Sequence, residues 1–214
     1  SVGEDRRMTP DEAMTRARAG QLAPVTLVVG EEEYQRGRVV RALREAALAG
    51  GVPGLNDDQL EAAQSSVDAA LSVARTMPMM ARRRVVVVRG VERWESRAES
   101  GERRGDPFEK LTAYAANPAP ETVLVLSASK LDKRRKLVQD ARRGDYLVEC
   151  EALSRRELPR FVVAHARELG GSIEPRVADL VAEVAGPDLA PVADAVTRLC
   201  LYAGARPITE ADVG

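Results

Sequence analysis

Aromatic residues make up only 3% of this 214-residue chain, and cysteine occurs twice and histidine once. The core must therefore be aliphatic, built mainly from alanine, valine and leucine. The single histidine, His165, excludes metal sites that need several imidazoles. Cys150 and Cys200 are distant in sequence and form no CxxC motif, which favours a reducing compartment with both thiols as small core residues.

Excess charge of one sign and long apolar runs are also missing. The net charge is −1, so no global attraction to nucleic acid or anionic lipid is expected. No segment is long and apolar enough to cross a membrane, and the N-terminus lacks the pattern of a secretory signal. These features favour a cytoplasmic protein with one large or two small domains.

What the chain does have is an alternation of apolar strands and amphipathic helices up to about residue 149. The predicted strands are Val25–Val29, Val85–Val88, Thr122–Leu126 and Tyr146–Val148, and residues 55–64 fit either a short edge strand or an extended loop. Uninterrupted β-branched runs are typical of strands buried on both faces of a parallel sheet. We therefore predict an α/β fold, with a doubly wound parallel sheet over residues 1–149.

From Ser154 onward the pattern contains helices alone. Ser154 and Glu157 have the spacing of a capping box for the first of three helices. Their short connections predict a small three-helix lid domain over residues 150–214. Thr209 and Asp212 have the pattern of a further helix start, so we expect that a continuation is missing from this chain.

The most unusual stretch joins a predicted helix that starts at Val67 to the strand Val85–Val88. Pro78 ends the helix, and Met79 and Met80 then precede three arginines, residues 82–84. Either both methionines fill gaps in the core, as Met often does, or they form an exposed apolar plug for another protein. Burying two such side chains in a partner would contribute about 3–6 kcal/mol before binding costs.

Two further polar segments carry predictions. Residues 95–106 predict a mobile surface loop, and Leu131–Arg143 predicts a strongly basic helix. The candidates for contact with DNA or a partner are Arg82, Arg83, Lys133, Arg134 and Arg135. A solvated helix face explains such charges equally well.

The signature of a nucleotide-binding loop is absent. After the strand that ends before Gly30, residues 35–37 would need to be glycine, lysine and a hydroxyl residue, but they are Gln, Arg and Gly. Residues 31–33 are three glutamates, which would repel a triphosphate. Arg89 stands where a metal-binding carboxylate is expected. We therefore predict that this chain does not hydrolyse ATP.

No other catalytic set is found. The sequence has no G-x-S-x-G elbow and no Cys–His pair at a recognisable spacing. His165 lies near the apolar stripe of its helix, beside Phe161 and Leu169, which favours a packing role. We predict no catalytic residue, no metal and no cofactor.

Taken in order, six motifs resemble those of one protein family. They are LVVGEEEY (27–34), ARTMPMMARRRVVVV (74–88), TVLVLSASKLDKRRKL (122–137), ECEALSRREL (149–158), GPDLAPVADAVTRLCLYAG (186–204) and ITEADV (208–213). An α/β domain without ATPase motifs, followed by a helical lid, resembles the AAA+ family. More narrowly, the ordered set is similar to the delta subunits of the bacterial DNA polymerase III clamp loader.

This resemblance implies a function that the residues alone do not. Delta subunits bind and open the ring-shaped sliding clamp, the beta subunit, so that it is loaded on primed DNA during replication, and they do not themselves hydrolyse ATP. The motif places their clamp-binding apolar pair at Met79 and Met80, next to Pro78. The family more often has phenylalanine where this chain has Met80. The resemblance also implies a non-catalytic place in a DNA-directed DNA polymerase holoenzyme, a nucleotidyltransferase complex.

The implied partners are the sliding clamp, the gamma/tau and delta prime subunits of the clamp loader, and primed DNA through the complex. The implied location is the replisome at the bacterial nucleoid. A helical collar domain, which holds the assembly together in the family, is expected to be missing from this chain. Two alternatives stay open, namely a divergent AAA+ ATPase such as a helicase loader or remodeller, and a DNA-binding module.

Overall fold

A computed structural model of the chain describes residues 7–52, 54–99 and 105–213. The chain divides into two compact units, Ser1–Glu151 and Ala152–Gly214. The described strands of the first unit are β1 (Val25–Val29), β2 (Asp57–Glu61), β3 (Arg84–Arg89), β4 (Thr122–Ala128) and β5 (Leu147–Glu149). Its described helices are α1 (Pro10–Arg18), α2 (Glu33–Leu48), α3 (Val67–Ala74), α4 (Glu92–Glu99), α5 (Pro107–Ala116) and α6 (Lys136–Arg143).

The five strands form one sheet in the order β2-β3-β4-β1-β5. Every neighbouring pair is parallel. Residues 55–64 are predicted to form either a short edge strand or an extended loop, and they contain the edge strand β2. The valines of β3, residues 85–88, are each 0% exposed, because the sheet is covered on both faces.

Because side chains alternate along the strands, the described residues form two separate apolar cores, one on each face of the sheet. On one face, alternate residues such as Val86 and Leu124 pack with α3, α4, α5 and α6. On the other face, Val85 and Val123 pack with α1 and α2. Because successive side chains of a strand point to opposite faces, helices lie on both sides of the sheet. The doubly wound parallel α/β arrangement predicted from the sequence is confirmed.

The second unit contains three packed helices, α7 (Leu158–Glu168), α8 (Pro175–Ala185) and α9 (Leu189–Ala203). After α9, Thr209 and Asp212 cap a short 3₁₀ turn, Glu210–Asp212, with reciprocal hydrogen bonds. None of the helices in the described ranges combines the length and the apolar composition needed to cross a membrane.

The predicted loop over residues 95–106 is wrong in its first part, because α4 covers Glu92–Glu99. Two long-range contacts anchor this polar helix. Trp94 is 1% exposed, and its indole nitrogen donates a hydrogen bond to the Ser65 carbonyl over 3.0 Å. Glu92 accepts a hydrogen bond from the Ser129 hydroxyl over 2.9 Å. The prediction for residues 100–104 lies outside the described residues.

Two predicted helices start later than their sequence patterns suggest. α6 begins at Lys136 rather than at Leu131, because Asp132 accepts a hydrogen bond from the Arg134 backbone over 2.9 Å and folds that segment into a turn. α7 begins at Leu158, because the Glu157 carboxylate bonds back to the Ser154 N–H over 2.8 Å and closes a turn before the helix. In both places a local side-chain bond competes with helical geometry.

Candidate partner-binding loop

The methionine pair lies in the segment that joins α3 to β3, residues 75–83, which we call the connector. Helix α3 begins at a capping residue, Ser66, whose hydroxyl accepts a hydrogen bond from the Ala69 N–H over 3.1 Å. It ends at Ala74, with Arg75 as its C-cap, and the Thr76 hydroxyl donates to the Ser72 carbonyl. Because the connector leads into the first residue of β3, it lies at the amino ends of the parallel strands.

Three methionine side chains of the connector are exposed to solvent. Met79 is 60% exposed and Met80 is 86% exposed, so neither fills the core. Met77, which the sequence analysis did not single out, is 72% exposed. Pro78 lies between Met77 and Met79 in the chain and is half-buried. Exposed apolar side chains that are grouped on one loop are typical of a surface that another molecule covers.

A buried asparagine fixes the backbone of this loop. Asn56 is 6% exposed and precedes β2 in the chain. Its side-chain nitrogen donates to the Met79 carbonyl over 2.8 Å, and its side-chain oxygen accepts from the Met79 N–H over 2.6 Å. Both Asn56 and Met80 have positive φ, 63° and 54°, a conformation that non-glycine residues rarely adopt. The amide therefore holds an unusual loop shape in which Met79 and Met80 face solvent.

The three arginines after the methionines have different surroundings. Arg84 is 8% exposed and forms an ion pair with Asp58. Arg82 is exposed and Arg83 is half-buried. Both line the same cleft as Met80. Of the three, Arg82 and Arg83 are therefore the cations that lie beside the methionines and are accessible to a partner.

The second basic group, residues 133–135, does not present all of its charges to solvent. Lys133 and Arg134 are exposed, and Arg134 forms an ion pair with Asp132 over 2.9 Å. Hydrogen bonds from Arg134 lower the pKa of Asp132 to about 2. The candidate contact residue Arg135 is instead used within the fold, where three groups surround its guanidinium. These are the carboxylates of Glu95 and Asp106, at 2.7 and 3.0 Å, and the Phe108 ring, at 4.3 Å.

The start of α2, where a phosphate-binding loop would place its anion, is filled by the chain's own groups. The Glu32 carboxylate accepts a hydrogen bond from the Tyr34 N–H over 3.0 Å and so caps the helix. Arg36 donates to the Gly30 carbonyl. A Cβ atom at Gly30 would lie 1.9 Å from the Cys150 carbonyl oxygen, so β1 turns into α2 against the backbone that follows β5. A phosphate at this helix end would compete with the Glu32 carboxylate.

The two cysteines and the histidine differ in their burial. Burial raises the pKa of the Cys150 thiol to about 12, so it is a protonated core residue. Cys200, expected in the core, is half-exposed, and burial raises the pKa of its thiol above the ordinary value. His165 is 7% exposed and stacks on Phe161, with 5.4 Å between the ring centroids. Its packing is as predicted.

Comparison with known proteins relates this arrangement to one family. The family model described as "DNA polymerase III, delta subunit" matches residues 27–151. The DNA polymerase III subunit delta of Bacillus subtilis (strain 168) is 27% identical over 193 residues, which are 87% of this chain and 54% of that protein. The chain thus spans about half the length of this relative.

Two solved structures show the same fold. The Bacillus subtilis DNA clamp loader delta protein (YqeN) superposes with a TM-score of 0.79 at 25% identity, over 96% of this chain and 61% of that one. Domain III of the Thermotoga maritima replication initiation protein DnaA superposes with a TM-score of 0.50 at 10% identity, over 95% and 87%. The second similarity concerns the fold alone.

Proposed function

The chain belongs to the family of DNA polymerase III delta subunits, and from this premise we propose that it binds the sliding clamp through Met79 and Met80 and favours the open ring. The observation that carries the proposal is the exposure of both side chains on a loop whose backbone Asn56 holds. A loop that is already ordered loses little conformational entropy when it enters a pocket. Pro78, which precedes the pair, further restricts the loop.

The proposed mechanism is a population shift. A plug that binds the open ring more tightly than the closed ring moves the equilibrium toward opening by the difference in affinity. Two methionines contribute about 3–6 kcal/mol of gross apolar burial, which is enough to support such a difference. The partners in this proposal are the sliding clamp, the gamma/tau and delta prime subunits, and primed DNA through the complex, in the bacterial cytoplasm.

We propose further that this chain does not hydrolyse ATP and that its sister subunits supply that activity. The side chains at the start of α2 support this, because Glu32 caps the helix where a phosphate would bind and Arg36 bonds to Gly30. In an isothermal titration with Mg-ATP we expect no binding heat. Micromolar binding accompanied by hydrolysis would instead favour a divergent AAA+ ATPase.

The test of clamp binding replaces Met79 and Met80 together by alanine. We expect at least a ~100-fold loss of affinity for the clamp of the same organism, because most of the apolar contact is removed. The melting temperature should change by less than about 2 °C, since exposed side chains contribute little to the folded state. A large fall in melting temperature with clamp affinity retained would contradict the proposal.

A matched control removes an exposed apolar pair elsewhere. Leu201 and Tyr202 are 79% and 74% exposed in α9 of the second unit. Leu201→Ala with Tyr202→Ala should leave binding to the isolated clamp unchanged. If the control weakens binding as much as the connector variant does, the effect belongs to general surface hydrophobicity. If neither variant changes clamp binding while DNA binding is strong at low salt, the DNA-binding alternative is favoured.

A further inference from the structure

A cleft of about 650 Å³ opens beside the exposed methionines, between the end of α2 and the connector. One wall is the last turn of α2 and the glycines that follow it, Gly50 and Gly51. The other wall is formed by residues 80–83, among them Met80, Arg82 and Arg83. Its volume is comparable to that of clefts that hold a small ligand or a few side chains of a partner.

The charge of this cleft is not balanced from within. The described residues that line it include no aspartate or glutamate. Two aspartates that follow Asn56 in the chain are already engaged, since Asp57 pairs with Arg44 and Asp58 pairs with Arg84. The end of α2 contributes a partial negative charge of about half a unit, which is smaller than two full positive charges.

Arg84 is paired with Asp58, but the two arginines that line the cleft differ from it. Within the described part of the chain, no hydrogen bond or ion pair satisfies the side chain of Arg82 or of Arg83. Guanidinium groups bind carboxylates through two parallel hydrogen bonds, which lysine cannot reproduce. The cleft therefore offers cationic donors next to an apolar side chain, Met80.

We propose that this cleft receives a carboxylate-bearing segment of the sliding clamp, at the rim of the apolar pocket that Met79 and Met80 enter. The inference rests on the proposed function and adds the chemistry of a second contact. A protein segment fits better than a DNA backbone, because the occupant touches Met80 and the two guanidiniums at once. Aspartate or glutamate among apolar residues offers both kinds of surface, whereas phosphodiester groups offer only the charge.

The two contacts have different consequences for binding. The methionines supply apolar burial, which slows dissociation, while charges at the rim of an interface mainly change the association rate and its dependence on salt. A second contact point also fixes the rotation of the loop in the clamp pocket. We therefore expect the arginines to set the ionic-strength dependence of clamp binding and the methionines to set its salt-independent part.

The test replaces Arg82 and Arg83 by glutamine and measures clamp binding by surface plasmon resonance across a salt series. We expect the association rate to fall about tenfold at roughly 50 mM salt and by less than about threefold at roughly 500 mM. The matched control is Arg155→Gln with Arg156→Gln, which removes the same charge from two exposed residues of the second unit. The control should keep the salt dependence of the parent.

The outcomes separate this inference from the proposed function. If Met79→Ala with Met80→Ala abolishes clamp binding while Arg82→Gln with Arg83→Gln leaves its rate and salt dependence unchanged, only the cleft inference is overturned. If the arginine variant loses affinity for primed DNA but not for the clamp, the cleft binds phosphate and the inference is again overturned. If the methionine variant binds normally, the proposed function itself fails.

Discussion

Replacing Asn56 by glycine tests whether the connector must be ordered before it binds the clamp. Asn56 is 6% exposed, and its side chain makes both hydrogen bonds to the Met79 backbone. Glycine deletes both bonds but accepts the left-handed φ of 63° without steric cost, which alanine does not. The variant therefore separates the contribution of the amide from that of the backbone conformation.

The expected loss follows from the two hydrogen bonds. A neutral hydrogen bond contributes about 0.5–1.5 kcal/mol net, so the pair contributes about 1–3 kcal/mol to the ordered connector. When the bonds are absent, the loop becomes ordered only on binding, and the free energy of binding to the clamp is weakened by the cost of that ordering. At tenfold per about 1.4 kcal/mol, the dissociation constant for the clamp should rise about 5- to 150-fold.

Two measurements on the same variant check this reasoning. Amide hydrogen exchange at Met79 should become faster, because its N–H donates to Asn56 in the parent over 2.6 Å. Surface plasmon resonance should show weaker clamp binding. Asn56→Asp, which keeps an acceptor but loses the donor to the Met79 carbonyl, should lie between the parent and the glycine variant. Faster exchange with a dissociation constant within about twofold of the parent refutes the reasoning, since loop order would then not matter for binding.

Three further outcomes concern stability. Trp94→Phe loses the indole hydrogen bond to Ser65 and some core volume, so the free energy of unfolding should fall by about 1–3 kcal/mol. Urea titration followed by circular dichroism measures this, and an unchanged unfolding midpoint would contradict the anchoring of α4. Burial raises the pKa of the Cys150 thiol from 9.0 to about 12. The contribution of the protonated thiol to the free energy of unfolding is therefore full below pH 9.0 and is lost as the pH rises toward about 12. Measured against Cys150→Ala, the free energy of unfolding of the parent should fall by up to about 1.4 kcal/mol per pH unit over that interval, and the same pH dependence in both proteins would refute the shift. Asp58→Ala leaves the buried Arg84 guanidinium without its carboxylate and should lower the free energy of unfolding by about 1–3 kcal/mol, less than for a fully buried pair because the Asp58 side chain is partly exposed. Arg84→Met should restore most of this loss in the double variant.

The apolar strands and the helices with strong end signals could be predicted from sequence. Val25–Val29 is predicted and observed with the same bounds, because a run of β-branched and aliphatic residues in a parallel sheet is buried on both faces. The α5 helix begins after Asp106 and ends before Asn117, where capping residues and prolines give the signal locally. Such elements carry their own information within a few residues.

The elements that were mispredicted depend on contacts that a local pattern does not contain. Apart from Trp94 and Ala98, helix α4 consists of charged and polar residues. Its anchors are Trp94 against Ser65 and Glu92 against Ser129, which are 29 and 37 residues away in the chain. Conversely, the basic pattern from Leu131 fits a helix, but Asp132 closes a turn in its place. Tertiary contacts overrule propensity in the first case, and a local side-chain bond does so in the second.

The candidate site shows the same division between local and long-range information. The sequence pointed to Met79 and Met80, but a methionine on a loop is equally compatible with a place in the core. What exposes the pair is Asn56, 23 residues earlier in the chain, which binds the Met79 backbone. The asparagine precedes a strand and fits no motif, so its role became visible only with the β2–β3 pairing that brings it to the connector.

The connector and the usual ligand-binding end of a parallel sheet lie at opposite ends of the strands. In open parallel sheets, ligands bind outside the carboxyl ends of the strands, and in this chain that end of β1 is occupied by the capping Glu32 and by Arg36. The exposed methionines lie at the opposite, amino end of the sheet, where the chain enters β3. Changes at one end need not disturb the other, since the buried strands between them are rigid and tightly packed. A chain of this fold can therefore lack a nucleotide loop and still present an ordered apolar loop for a partner, which is the combination that the proposed role in clamp opening requires.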